Sequence, residues 1–299
     1  MGSRGSAYRG HAWLLAKIVT VLVLLMGCVR QPPHDEQDDD IRAKLRSTNP
    51  EERMMAIHVV AERQATQYLD ELMEMQKDPD EGVRTALAMT LGQLGDKKAV
   101  PLLLSMLKDE SELVRNNAAG ALGELGCRDA GEKIMPLLRD ESPLVRASAA
   151  TALGSLGYGE AGEELVRLLR EENDAFVLRS AIRAVGELRL VSAQQELVRL
   201  LKADNGNVVM AACQALVNIG VRDAAPAVAK LLTDKGKSVP EMALLTLHQF
   251  RYVPKPELLL CALRHERSDV RALGAQLAGH GRADEDVIAE LVKMVGDPD

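Results

Sequence analysis

The chain has 299 residues, and 46% of them are hydrophobic, which is enough apolar material for a buried core and excludes a disordered or collagen-like chain. Its 37 basic and 44 acidic side chains give a net charge of −7, the opposite of what binding to phosphate backbones requires, so we expect no nucleic-acid partner. Only 2% of the residues are aromatic, and a core of Ala, Leu, Val and Met favours packed helices over β-sandwiches.

Residues 1–27 have the pattern of an export signal. Basic side chains without any acid precede an uncharged run at residues 18–26 that is apolar except for Thr20. Residues 25–28, Leu-Met-Gly-Cys, then resemble the lipobox of bacterial lipoproteins. The resemblance implies a diacylglycerol group on Cys28 and a membrane-anchored protein of the bacterial cell envelope, on the periplasmic side of the outer membrane. An uncleaved anchor helix over residues 12–29, or a short signal peptide with an incidental cysteine, is the alternative.

Residues 28–40 form an acidic, proline-containing segment. Pro32 and Pro33 are followed by a run of acids that ends at Asp40. Such a segment buries little apolar surface, so we interpret it as a tether between the lipid and a folded body at residues 41–299.

A repeat of about 31 residues dominates the chain after residue 47. Eight segments align, and one column of the alignment recurs every 31 or 32 residues: Ala61, Gly92, Gly123, Gly154, Gly186, Val217, His248 and Gly279. Apolar residues within each segment recur at helical spacing, and a second apolar run lies between successive segments. Each repeat is therefore predicted to be two antiparallel helices, and the fold class is predicted to be an all-α solenoid, or superhelix, of about eight helical hairpins.

Small residues in the longer, second helix of each repeat predict close packing between repeats. They form the glycine column above and an alanine column, which consists of Ala56, Ala118, Ala149, Ala181, Ala212 and Ala243. A further glycine follows four of these helices, at Gly95, Gly126, Gly157 and Gly220, and predicts a left-handed residue at the helix end.

The repeats resemble the HEAT-repeat family, in the short bacterial form known as the phycobilisome-lyase-like repeat. The resemblance covers residues 47–299, and the family core D-x5-R-x2-A-A-x-A-L-G-x-L-G is nearly complete around Arg115 and Arg146. In that family an Asp in the turn between the helices and an Arg six residues later form a ladder of hydrogen bonds and ion pairs along the solenoid.

The ladder spacing occurs in three repeats, at Asp78 with Arg84, Asp109 with Arg115, and Asp140 with Arg146. We expect the Asp to cap the helix and the Arg to bridge to the adjacent turn. Later repeats have Leu178, Val209 and Pro240 in the arginine column, so the ladder is predicted to lapse there. Pro136 is predicted to kink its helix, whereas Pro240 fits a first helical turn.

One enzyme branch of the wider family, the iron-dependent hydroxylases, requires residues that this chain lacks. The iron-dependent hydroxylases use repeated His-Glu pairs, and the sequence has only His265-Glu266. Cys127, Cys213 and Cys261 have neither disulfide nor zinc-ligand spacing. We therefore predict no catalytic residues, no metal, no cofactor and no small-molecule substrate.

Function is expected to come from the shape of the surface. The stacked second helices are predicted to expose a line of small polar side chains that becomes apolar near its end. The candidate protein-binding residues are Asn116, Asn117, Ser148, Thr151, Arg183, Gln214, Met242 and Leu245. The alternative is an ordinary solvated face with two half-buried apolar residues.

We expect a non-enzymatic scaffold or adaptor that binds another protein at the envelope. A lyase or other enzyme of the HEAT-like lyase branch and a passive structural protein of the envelope remain as alternatives. The last predicted helix, residues 287–295, carries apolar residues that no following helix covers, so we expect it to be a docking edge or the end of a truncated chain.

Overall fold

The computed structural model describes residues 34–234, 238–281 and 284–295, with side chains from residue 38 onward. Throughout these residues the regular structure is helical and no strand occurs, which confirms the predicted all-α solenoid. The α-helices of the described residues are, in chain order, α1 (His34–Leu45), α2 (Pro50–Glu62), α3 (Leu69–Glu74), α4 (Glu81–Leu94), α5 (Val100–Met106), α6 (Glu112–Glu124), α7 (Gly131–Ile134), α8 (Pro143–Ser155), α9 (Gly162–Glu171), α10 (Ala175–Glu187), α11 (Gln194–Leu200), α12 (Gly206–Ile219), α13 (Ala225–Ala229), α14 (Val239–Phe250), α15 (Pro256–Leu263), α16 (Ser268–Ala278) and α17 (Glu285–Met294).

Short 3-10 segments precede or follow the first helix of many repeats. They lie at Thr66–Tyr68, Met75–Lys77, Lys97–Ala99, Arg128–Ala130, Met135–Arg139, Gly159–Ala161, Val191–Ala193, Arg222–Ala224 and Lys230–Thr233. The proline predicted to kink its helix, Pro136, lies where α7 gives way to one of these segments. Pro240 occupies the first turn of α14, where its missing N–H has no intrahelical partner. No helix in the described part of the chain is both long enough and apolar enough to span a bilayer.

The described residues divide into two compact units, one ending at residue 56 and the other beginning at residue 57. In the first unit, α1 carries Arg42 and Lys44 in its last turn, and the Lys44 ammonium lies 2.6 Å from Asp40. The Asp40–Lys44 pair has the i, i+4 spacing that supports a helix, and the segment predicted as a tether is helical from His34 onward. The predicted boundary at residue 40 therefore falls inside α1. Residues 28–33 of that segment, including Cys28, lie outside the described residues.

The second unit is a stack of helical hairpins. The even-numbered helices are the second helices, and they coincide with the eight aligned sequence segments. Within this unit each second helix from α4 to α16 packs against the next one, and the odd-numbered first helices pack behind them. The core is almost entirely aliphatic, as the composition predicts, and Tyr68 is its largest fully buried side chain.

The second helices end in a left-handed residue. Gly95, Gly126, Gly157 and Gly220 all have positive φ, between 63° and 81°. Where the glycine is missing, Gln64, Arg189 and Arg251 adopt φ of 49–52° at the same repeat position. The chain reversal therefore belongs to the repeat, and non-glycine residues adopt it at some cost in backbone energy.

The glycine column is required by the close approach of successive second helices. A Cβ atom on Gly92 would lie 2.7 Å from the Cβ of Ala121, and one on Gly154 would lie 2.9 Å from the Cα of Ala184. The contacting alanines thus belong to a different column from the alanine column picked out in the sequence. In α12 the glycine is replaced by Val217, whose side chain excludes so close an approach.

A guanidinium–carboxylate ladder joins the turns that precede the second helices. Arg84 donates to both carboxylate oxygens of Asp109, at 2.9 and 3.0 Å, and a third N–H donates to the Asp78 carbonyl at 2.8 Å. Arg115 repeats the arrangement with Asp140, at 2.8 and 2.9 Å. Each arginine therefore binds the backbone of its own turn and the acid of the next repeat.

The ladder includes a third bridge, whose acceptor differs from the aspartate of the sequence motif. Arg146 donates to the carboxylate of Glu172 at 2.8 Å and to the Asp140 carbonyl at 2.8 Å. Glu172 occupies the repeat position of the aspartates, so a glutamate serves there as the acceptor. In the next two repeats Leu178 and Val209 stand in the arginine column, as the sequence indicated.

The ladder carboxylates brace the turns but do not cap the helices. Asp109 accepts a hydrogen bond from the Ser111 N–H, and Asp140 accepts one from the Ser142 N–H, both at 2.9 Å. The cap of α4 is instead Asp80, which accepts from the Val83 N–H at 3.0 Å. In α4 the predicted capping role therefore belongs to a residue two positions further along the chain, whereas the N-cap serines of α6 and α8, Ser111 and Ser142, form no side-chain cap.

The ladder is shielded from water enough to matter for stability. The side chains of Arg84 and Asp109 are 8% and 14% exposed, and those of Arg115 and Asp140 are 11% and 12% exposed. Burial alone would raise the pKa of Asp140, but hydrogen bonds from Arg115 and the Ser142 N–H outweigh it, so that this pKa lies below its ordinary value. Its contribution to stability is thus present above the ordinary carboxyl pKa and is lost as the pH falls through the lower folded-state pKa.

We predict that Arg115→Ala lowers the free energy of unfolding by about 1–3 kcal/mol at neutral pH. The substitution leaves the Asp140 carboxylate, which is mostly shielded from water, without its charged partner. Urea unfolding followed by circular dichroism measures the change. The difference between the variant and the wild type should shrink as the pH falls below the folded-state pKa of Asp140, since the carboxylate is then neutral.

Arg128→Ala is the matched control. The Arg128–Glu160 pair also spans neighbouring repeats, at 2.8 Å, but both side chains are more than half exposed. Its loss should change stability far less. Equal effects of the two substitutions would show that the ladder is solvated and contributes no more than a surface pair.

Candidate protein-binding face

The exposed faces of α6, α8, α10, α12 and α14 form the candidate surface, which we call the binding face. On α6 and α8 its polar residues are partly engaged within the scaffold. The Ser148 hydroxyl donates to the Asn116 carbonyl of the preceding second helix at 3.0 Å. The Asn117 amide donates to the Leu113 carbonyl of its own helix at 2.8 Å. These three predicted residues are half-buried and line the face without projecting far from it.

Three of the predicted residues come together in one groove. Thr151, Arg183 and Gln214 lie on α8, α10 and α12, and they line a groove of about 380 Å³. The groove is completed by residues on the same helices, namely Phe176, Arg179, Ser180, Ile182, Ala211, Ala215 and Asn218. The repeat thus converts residues 31 or 32 positions apart into neighbours across the stack.

The polar groups of the groove are held in place by one another. The Arg183 guanidinium donates to the Thr151 hydroxyl at 2.8 Å and lies 3.7 Å from the Glu187 carboxylate. The Gln214 amide donates to the Asn218 side-chain oxygen at 3.0 Å. Arg179 is exposed, and no group in the described part of the chain forms a hydrogen bond or ion pair with it. A ligand in the groove would therefore meet one braced and one available guanidinium.

An apolar stripe borders the groove and was missed by the sequence interpretation. Leu113, Leu144 and Phe176 are 43%, 40% and 55% exposed. All three stand two residues before the arginine column, so they lie side by side on α6, α8 and α10. The signal was present in the alignment as a column of large apolar residues at the start of three successive second helices.

The last two predicted residues lie apart from the groove. Met242 is half-buried and Leu245 is 39% exposed, both on α14, and neither lines the groove. Leu245 occupies the same repeat position as Thr151, Arg183 and Gln214. The row of polar residues therefore becomes apolar at α14, beyond the groove.

The cysteine and histidine side chains outside the groove can be described individually. Within the described residues no three His, Cys, Asp or Glu side chains are placed to hold a metal ion. Burial raises the pKa of the Cys213 thiol to about 12, so this cysteine is a core residue and a poor nucleophile at neutral pH. The rings of His248 and His280 meet edge to face, with their centroids 4.9 Å apart.

Similar solved structures include repeat proteins of several kinds. YibA of Escherichia coli is 21% identical, with a TM-score of 0.56 over 80% of this chain and 90% of that one. An engineered protein is 20% identical, with a TM-score of 0.54 over 87% and 85% of the two chains. A chain of the CpcE–CpcF complex of phycocyanin lyase from Nostoc sp. PCC7120 is 23% identical, with a TM-score of 0.48 over 80% and 92%. At these identities the likeness to YibA and to the engineered protein shows the fold alone.

The family comparison is more specific. No curated protein matches the chain significantly. HEAT repeats match at residues 39–120, 100–186 and 176–248. This scaffold is consistent with protein binding. Because the matched segments cover well over half of the sequence, the chain belongs to the HEAT-repeat family.

Proposed function

We propose that this protein is a non-enzymatic scaffold that binds another protein on its binding face and is held at the bacterial cell envelope by a lipid on Cys28. The proposal that the face binds a protein rests on the groove on α8, α10 and α12 together with the apolar stripe beside it. A half-polar, half-apolar surface with exposed aromatic and arginine side chains has the composition of a protein interface.

The distribution of charged groups supports this use of the surface. The arginines of the ladder are nearly buried, and each is bound to a neighbouring repeat, so they serve the scaffold. Phe176 and Arg179 are instead exposed in the groove. Exposing a large aromatic side chain to water is unfavourable unless a partner covers it.

The proposed anchor rests on the sequence. The apolar run at residues 18–26 is about as long as the core of a signal peptide, and Cys28 follows a small residue at the lipobox position. A lipid there would place the binding face in the compartment of other envelope proteins, which are the partners we propose. One acyl chain binds a membrane only weakly, whereas the several chains of a lipoprotein anchor hold it stably.

We predict that a photocrosslinking residue at Gln214 captures a defined protein in intact cells, because this side chain lies in the groove. Benzoylphenylalanine is introduced there in the full-length chain, and the crosslinked product is identified by mass spectrometry.

The control position is Lys133, which is exposed on α7, the first helix of its repeat. The same probe at Lys133 should give no such product. Equal capture at both positions, or none at Gln214, would contradict binding through this face.

We predict that Cys28→Ala abolishes lipid attachment and releases the protein from membranes, because the thiol is the proposed acceptor of the lipid. Fractionation after a carbonate wash, with metabolic labelling by a fatty acid, measures both effects. Cys127→Ala, which removes a cysteine of the repeats, is the control and should remain labelled. A Cys28→Ala variant that stays with the membrane would refute the lipid anchor.

A further inference from the structure

We infer that the groove recognises an extended segment of the partner that carries an acidic side chain between apolar ones. The inference rests on the proposed function, since it names the chemistry of the partner for the same face. Two features of the groove and one of the surrounding surface lead to it.

The first feature is local charge. The residues that line the groove include two arginines, Arg179 and Arg183, and no acid. The chain as a whole has a net charge of −7, so this pair is a positive site on an acidic protein. The nearby Glu187 lies 3.7 Å from Arg183, too far for a short ion pair, and it compensates only one of the two charges. A carboxylate is the group that an available guanidinium binds best, through two parallel hydrogen bonds.

The second feature is the spacing of the polar side chains. Arg179 and Arg183 are one helical turn apart on α10, and Gln214 and Asn218 are one turn apart on α12. Side chains at this spacing lie on the same face of their helix. The amides both donate and accept hydrogen bonds, so they suit the N–H and C=O groups of an extended backbone, while the arginines suit its acidic side chain.

The surface beyond the groove fixes the length and type of the occupant. The apolar stripe continues from Phe176 to Leu144 and Leu113 on one side, and exposed Leu245 follows on the other. With packed helices about 8–10 Å apart, the distance from α6 to α14 is about 32–40 Å, the length of about ten to twelve extended residues. Because apolar surface lies on both sides of the arginines, the acid is an internal Asp or Glu and not the carboxylate of a chain end.

The test is selection from a displayed library of random 12-residue peptides on the full-length chain. We expect the enriched sequences to contain an Asp or Glu with Leu, Ile, Val or Phe on both sides. Synthetic versions, acetylated and amidated at their ends, should bind at least tenfold more weakly to Arg179→Glu/Arg183→Glu when measured by fluorescence anisotropy. Phe176→Ser should weaken binding without removing the preference for an acid.

Lys202→Glu/Arg222→Glu is the matched control, because it makes the same change of charge at exposed residues that do not line the groove. It should bind the peptides as the wild type does. Circular dichroism melting curves of all variants check that the exposed substitutions leave the fold intact.

Several results would overturn the inference. They are enrichment of neutral or basic peptides, no enrichment above background, equal binding by the two double variants, and binding that requires a free terminal carboxylate. The proposed function is judged separately, by crosslinking at Gln214 in cells. A captured partner that binds independently of Arg179 and Arg183 would leave the scaffold role standing and refute the acidic motif alone.

Discussion

The bridge from an arginine of one repeat to the acid of the next is the interaction on which the regular part of the stack depends. A helical hairpin of this size cannot bury its apolar faces alone, so each repeat is stable only in a fixed relation to its neighbours. Hydrophobic packing of Ala and Leu is not directional, whereas the two-pronged contact of Arg84 with Asp109, repeated by Arg115 with Asp140, is. The glycine column adds a steric condition, since helices that approach so closely tolerate little sliding.

The same repeat geometry places the groove of α8, α10 and α12 beside the third of the bridges described above. That bridge joins Arg146 to Glu172, just before α10. In α10 the ladder position is Leu178, and the arginines stand instead at Arg179 and Arg183, which face the groove. A shift of one position along the helix therefore places the Arg179 side chain in the groove instead of in a bridge between repeats. The regular stack below provides the rigid support that a surface of small polar side chains needs to be specific.

The period of the sequence predicted the fold, because the glycine and terminal-glycine columns report backbone requirements that few other residues meet. The partners of the ladder were harder to predict, because the bridge joins Arg84 to an acid 25 residues later and not to the carboxylate of Asp78. Glu172 was missed since it differs from the Asp of the motif, although its carboxylate reaches the same guanidinium position. The sequence predicted Thr151, Arg183 and Gln214 as part of an exposed polar line but did not predict the groove that they line. Phe176 was missed because a large apolar residue at a helix start is usually buried and its exposure depends on the tertiary packing.

Hydrogen exchange of the native protein, resolved to single helices by mass spectrometry, tests the role of the ladder most directly. The two helices to compare are α6 and α12. Among the eight second helices, α6 is the third from the N-terminal end and α12 is the third from the C-terminal end, so fraying from the ends affects both alike. The turn before α6 is joined to its neighbours by Arg84 and Arg115, whereas Val209 stands at the ladder position of α12. If the guanidinium–carboxylate bridges hold the repeats together, the amides of α6 exchange more slowly than those of α12 at neutral pH. Equal protection of the two helices, or faster exchange in α6, would contradict this role.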